Sequence, residues 1–215
     1  MGEPMLCRLK GGSCGKAAVF DGMGGESRGE LASYTAAKML TEEMEEDRWT
    51  RGKLFQMVES LNHEVCRVGE ELKIGRMGTT AAILAMNPGE IWACNVGDSP
   101  IYLYRNGQLK MLSHMHTNAE FLDRQGITWL KPGLTQFLGM DEEVVVEPYI
   151  EKQIIRRGDI YLACSDGITD MMTEKEIADV LAEDRASEEY VEMLVGTALE
   201  HGGKDNITVI LCRIV

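Results

Sequence analysis

The sequence predicts an α+β fold with largely antiparallel sheets, and three features carry that reading. Strand-like runs dominate the middle of the chain, helical patterns come in pairs, and no alternating strand–helix rhythm of a parallel sheet runs through it. At 215 residues the chain is long enough for one compact domain with a sizeable core. With 44% hydrophobic and 27% charged residues and no homopolymer or proline-rich tract, disorder and fibrous repeats are disfavoured.

Taken in order, residues 17–20 are a short apolar run that enters Asp21-Gly22, the pattern of a buried strand ending in a turn. A first helix is predicted over roughly 28–46, closing in the acidic run 42–47, which reads as a solvated face. A second follows, because Leu54, Met57, Val58, Leu61, Val65, Val68 and Leu72 recur at the spacing of one apolar helical face. Between 79 and 113 the character changes to a meander, with strand-like runs at 80–86, 91–96, 101–104 and 108–112. The separators include Gly97-Asp98-Ser99-Pro100 and Asn106-Gly107, the latter a type I′ hairpin signal. Residues 114–137 have weak periodicity and read as a long loop with short helical pieces, a feature that is often functional in a compact domain. Strands are expected again at 144–150 and 159–164. Val191, Leu194, Val195 and Ala198 mark a further helix, and 207–214 a final strand.

Charge narrows the function. Thirty-five acidic against 22 basic residues leave a formal charge of −13, which argues against holding nucleic acid or an anionic membrane surface. A phosphorylated ligand would then need a metal ion to neutralise it. No window approaches the roughly 18 apolar residues of a membrane span, and residues 1–20 lack a signal-peptide core, so a cytoplasmic protein is expected. The six cysteines include no C-x-x-C pair and read as buried thiols of a reducing compartment.

Four aspartates share one local pattern: Asp21, Asp98, Asp166 and Asp205 each stand beside Gly or Asn at the end of a strand-like run. Each alone is ordinary turn or cap punctuation. Together they matter, because sheet ends are where carboxylates from distant positions converge, and glycine lets a backbone carbonyl approach a ligand. Carboxylates without clustered His or Cys make a hard-oxygen site suited to Mg²⁺ or Mn²⁺. Two such ions bridged by one carboxylate lower the pKa of a shared water and clamp a phosphoryl group.

In chain order, Phe20-Asp21-Gly22-Met23-Gly24-Gly25, Met77-Gly78-Thr79-Thr80, Asn95-Val96-Gly97-Asp98-Ser99, Leu134-Thr135-Gln136-Phe137-Leu138-Gly139, Cys164-Ser165-Asp166-Gly167-Ile168-Thr169-Asp170 and Gly203-Lys204-Asp205-Asn206-Ile207-Thr208 span about residues 17–213. The set resembles the PPM (type 2C) metal-dependent protein serine/threonine phosphatases, bacterial type. The resemblance implies a single domain over 1–215 with a four-layer αββα sandwich, two antiparallel sheets flanked by helix pairs, and metals at one rim. It implies that Asp21 bridges two Mn²⁺ or Mg²⁺ ions with the Gly22 carbonyl as a further ligand, that Asp166 and Asp205 hold the first ion, and that Asp98 with Asp166 holds a weaker third. Residues 114–137 are similar to the flap that shapes substrate access. The implied reaction is hydrolysis of phosphoserine and phosphothreonine in protein substrates by a metal-bridging hydroxide, in a protein that works opposite a cognate Ser/Thr kinase system.

The sequence departs from the family at its start. The family's phosphate-binding Arg has no counterpart, Arg8 being misplaced for it, and the nearest equivalent of the second-metal segment is Gly2-Glu3-Pro4-Met5, with Glu3 as the stand-in ligand. N-terminal truncation and true loss of the motif stay open, and true loss would favour a catalytically weak regulatory or binding module. His63 and His201 read as structural, His116 as a flap neighbour with a minor claim on substrate, Trp129 as loop packing, and the methionines as core filler.

Overall fold

The computed structural model describes residues 14–23, 28–42, 48–141 and 143–215. Two four-stranded sheets, antiparallel throughout, form its centre. The first orders β1 (Gly15–Val19), β2 (Ala81–Asn87), β3 (Glu90–Val96) and β6 (Tyr149–Ile154) as β1-β2-β3-β6. The second orders β4 (Ile101–Arg105), β5 (Gln108–Met111), β7 (Ile160–Cys164) and β8 (Val209–Arg213) as β5-β4-β7-β8.

The period of two along each strand sorts side chains into three apolar layers. Ala81, Ile83 and Ala85 of β2 face Leu54, Met57, Val58, Leu61 and Val65 of α2 (Arg51–Glu71), with α1 (Gly29–Glu42) in the same cluster through Ala32 and Ala36. Ala82 and Leu84 turn the other way and meet Leu103, Tyr161 and Ala163 between the sheets. Ile160, Leu162 and Cys164 then face the outer helices α4 (Asp166–Thr169), α5 (Glu174–Ala182) and α6 (Ser187–Glu200), represented by Ile168, Ile177 and Leu194. The result is the α-β-β-α layering that the family resemblance implied.

Two features depart from the sequence reading. The strand expected at 144–150 begins only at Tyr149, because Pro148 has no N–H for a ladder, and Val144 and Val145 lie exposed in irregular chain. Helix α5 has no counterpart in that reading, although Thr173 and Glu176 form a capping box that the T-x-x-E spacing encodes. The first helix ends in the described chain at Glu42; its expected extension over 43–46 lies outside the described residues. The 114–137 segment carries one short helix, α3 (Ala119–Arg124), as expected.

Strand pairing explains how distant aspartates meet. Val19 and Val96, the last residues of β1 and β3, both lie against the start of β2, while Cys164 ends β7 where β8 begins at Val209. The turn 97–100 carries the chain from the end of β3 to Ile101, paired with Ala163, so it joins the two sheets at that rim.

Candidate active site

At the rim, backbone contacts set each aspartate before its side chain acts. The Asp21 N–H donates to Thr80 Oγ1 (3.1 Å), while its carbonyl accepts from the Thr80 N–H (2.9 Å) and Thr79 Oγ1 (2.9 Å). Thr80 Oγ1 is also 2.6 Å from Ser99 Oγ, which ties Asp21 to the turn holding Asp98. Beside it, Gly22 is required: a Cβ there would lie 2.2 Å from the Gly29 carbonyl at the start of α1.

Asp98 is aimed by Gly97, at φ +95°, and by His116, which grips that glycine on both sides. The His116 N–H donates to the Gly97 carbonyl (3.0 Å), and His116 Nδ1 accepts from the Gly97 N–H (3.2 Å). Burial and the neighbouring His114 lower the His116 pKa, keeping Nδ1 free to accept.

Asp166 and Asp205 are brought together by the lacing of two chain segments. The Ser165 N–H donates to the Thr208 carbonyl (3.0 Å), the Thr208 N–H to Ser165 Oγ (3.0 Å), and Ser165 Oγ to the Asn206 carbonyl (3.2 Å). A Cβ at Gly167 would sit 2.3 Å from that same carbonyl, so only glycine lets the 205–206 turn approach Asp166.

The four carboxyls feel one another. Asp21 is pushed up to about 7, first by burial, then by the charge and close approach of the Asp166 carboxylate, then by the charges of Asp205 and Asp98. Asp98 is raised by burial and by Asp166. Among the described residues no three acidic, imidazole or thiol side chains close into a preformed cage, as expected of carboxylates that repel one another. One oxygen, Asp166 Oδ1, is buried without a hydrogen-bond partner. A buried, unpartnered carboxylate oxygen beside a carboxyl with a raised pKa is the arrangement a hard divalent cation satisfies, and the all-oxygen donor set suits Mg²⁺ or Mn²⁺.

Of the expected site residues, Asp21, Gly22, Asp98, Asp166 and Asp205 stand at this rim, whereas Glu3 lies outside the described residues. Sequence reasoning missed Lys131, whose Nζ lies 3.0 Å from Asp166 Oδ2 and 2.9 Å from Asp170 Oδ2. A lone lysine in an irregular loop gave no signal. His116 gains a positioning role toward Asp98, and Trp129, expected to pack within its loop, is instead 82% exposed. His63 sits exposed on α2, and His201 caps the end of α6 with Nδ1 2.8 Å from the Met171 carbonyl.

Residues 5–208 match the family model for protein phosphatase 2C. The chain belongs to that family. It is 30% identical to the serine/threonine phosphatase stp of Listeria welshimeri over 212 residues, covering 90% of this chain and 82% of the relative. Among solved structures, the serine/threonine phosphatase of S. agalactiae aligns with a TM-score of 0.82 at 27% identity, covering 94% of this chain and 88% of that one. The catalytic domain of the serine/threonine protein phosphatase PstP, solved in complex with two manganese ions, aligns with a TM-score of 0.77 at 28% identity over 96% of this chain and 92% of that one. No helix among the described residues is long and apolar enough to cross a membrane.

Proposed function

We propose that this bacterial-type phosphatase hydrolyses phosphoserine and phosphothreonine in protein substrates at the rim holding Asp21, Asp98, Asp166 and Asp205. The observation that carries the reading is the convergence of these four carboxyls, with Asp166 Oδ1 buried and unpartnered and Asp21 raised to about 7. Asp21 would bridge two ions of Mn²⁺ or Mg²⁺, assisted by the Gly22 carbonyl; Asp166 and Asp205 would hold the first, Glu3 the second, and Asp98 with Asp166 a weaker third. When bound, such ions neutralise the phosphoryl oxygens and make a water nucleophilic near neutral pH.

The chain's own groups support direct attack by water. Cys164, two residues from Asp166, is fully buried with its thiol pushed up to about 12, and Cys94 is likewise, so neither is a usable nucleophile. Thr79 and Thr80 hold the backbone of Asp21, His116 holds that of Gly97 beside Asp98, and Ser99 ties the two segments through Thr80, so the carboxylates are oriented before substrate arrives. A phosphoprotein substrate implies a cognate Ser/Thr kinase that supplies it. The whole chain 1–215 serves as one domain, with 114–137 as the flap over the rim.

The deciding experiment is p-nitrophenyl phosphate hydrolysis by this chain in millimolar Mn²⁺ and in excess EDTA, with Asp166→Asn as the control. Turnover that needs Mn²⁺ and disappears in the variant supports the assignment. No turnover in a folded, Mn²⁺-binding protein would favour a truncated domain or the regulatory module instead. Asp98→Ala should lower turnover while leaving the tightly held metal in place.

A further inference from the structure

The loop 114–137 closes on itself at a neck. The Asn118 N–H donates to the Gly133 carbonyl (3.0 Å), the Gly133 N–H to Asn118 Oδ1 (2.8 Å), and the Thr135 N–H to the His116 carbonyl (2.8 Å). Beyond the neck the loop is open, with Phe121, Trp129 and Leu130 exposed. Among the described residues, the hydrogen bonds that tie 119–132 to the domain beyond this loop are those of the Lys131 ammonium to Asp166 Oδ2 and Asp170 Oδ2.

The two oxygens of Asp166 are therefore in different states. Oδ1 is buried and unpartnered, so a cation can take it without disturbing Lys131. Oδ2 already carries an ammonium at 3.0 Å, and a divalent ion on that oxygen must displace it, since two cations on one carboxylate oxygen repel strongly at such range. Asp98 feels the same groups, its carboxyl being influenced by Asp166, Lys131 and Asp170. The outer cation position at Asp166 Oδ2 and Asp170 Oδ2 is thus one the protein fills with its own side chain.

We propose that Lys131 is a positioning residue that latches the 119–132 loop onto the site and excludes a divalent cation from the outer oxygen of Asp166, so that outer-ion binding and loop attachment oppose each other. The inference rests on the cation-site reading above, but its test does not use phosphate chemistry. Mn²⁺ binding by wild type, Lys131→Met and Lys131→Arg is measured by titration calorimetry, and hydrogen exchange of residues 118–134 is followed in EDTA and in saturating Mn²⁺. Met keeps the apolar stem and removes only the charge.

In Lys131→Met the weakest class of Mn²⁺ sites should tighten by about tenfold while the tightest is unchanged, and the loop should exchange faster in EDTA. Lys131→Arg should behave like wild type. In wild type, saturating Mn²⁺ should speed exchange of the loop; in Lys131→Met it should not. Superimposable isotherms for wild type and Lys131→Met, or loop exchange that Mn²⁺ slows equally in both, overturns the proposal alone. A wild type that binds no Mn²⁺ overturns the cation site as well.

Discussion

Asp166 concentrates the chemistry of a single residue. One oxygen is buried and unpartnered, the other holds Lys131, and its charge is among the causes that raise Asp21 and Asp98. Replacing it with Asn removes a like charge as well as a ligand. In EDTA the melting temperature of Asp166→Asn should therefore equal or exceed that of wild type, while its Mn²⁺ affinity falls roughly 100-fold; differential scanning fluorimetry with and without Mn²⁺ reads both. Gly167→Ala separates geometry from charge. The added methyl meets the Asn206 carbonyl and drives the 205–206 turn outward, so Mn²⁺ affinity should fall about tenfold with every carboxylate retained.

At the scale of elements, the second sheet has its own anchor. Arg105 of β4 donates through Nε (2.7 Å) and Nη2 (2.6 Å) to Asp159, the buried residue that precedes β7, and through Nη2 to the Ile154 carbonyl (2.8 Å). Burial pushes the Asp159 carboxyl up, but the Arg105 guanidinium and the Arg156 N–H outweigh it and hold the group below the usual range. Its stabilising contribution is thus present above the unfolded pKa near 3.8 and is lost as pH falls below that value through the folded one. Asp159→Ala leaves a guanidinium without its partner and should cost about 3 kcal/mol near neutral pH, a difference from wild type that shrinks in urea melts below pH 4. The capping box of α5 is smaller: Thr173→Ala should cost about 1 kcal/mol with no effect on Mn²⁺ affinity, since α5 packs on the outer face of the second sheet.

For the whole molecule, a net charge of −13 and four aspartates gathered at one rim make the metal-free fold self-repulsive at the candidate site. Cation binding should relieve this. Mn²⁺ at about 100 times its dissociation constant adds about 2.7 kcal/mol, which in a domain of this size raises the melting temperature by roughly 5–10 °C over EDTA. An unchanged melting temperature would contradict the site.

Much of this architecture was legible in the residues. Apolar, strand-like runs marked seven of the eight strands among the described residues, because each strand is apolar toward a layer that must be buried, and the apolar face at Leu54, Met57, Val58, Leu61 and Val65 marked α2. In the exception, 144–150, the apolar stretch 144–146 is unpaired and the ladder starts only at Tyr149, since Pro148 cannot donate to it. The four aspartates were visible because turn glycines and strand ends are local signals. Their meeting was not local: it follows from the register that sets Val19 and Val96 against the start of β2, and from the turn 97–100 that carries one sheet into the other. The same holds for Lys131, which no pattern distinguishes from any exposed lysine until the loop folds back onto α4. Sequence by itself determined the fold class, most of the elements and the acidic residue types of the candidate site, because these depend on periodicity and residue type. Only the tertiary structure decided which carboxylate oxygen is left unpartnered, which glycines cannot carry a side chain and which cation guards the rim, because those depend on distances between segments far apart in the chain.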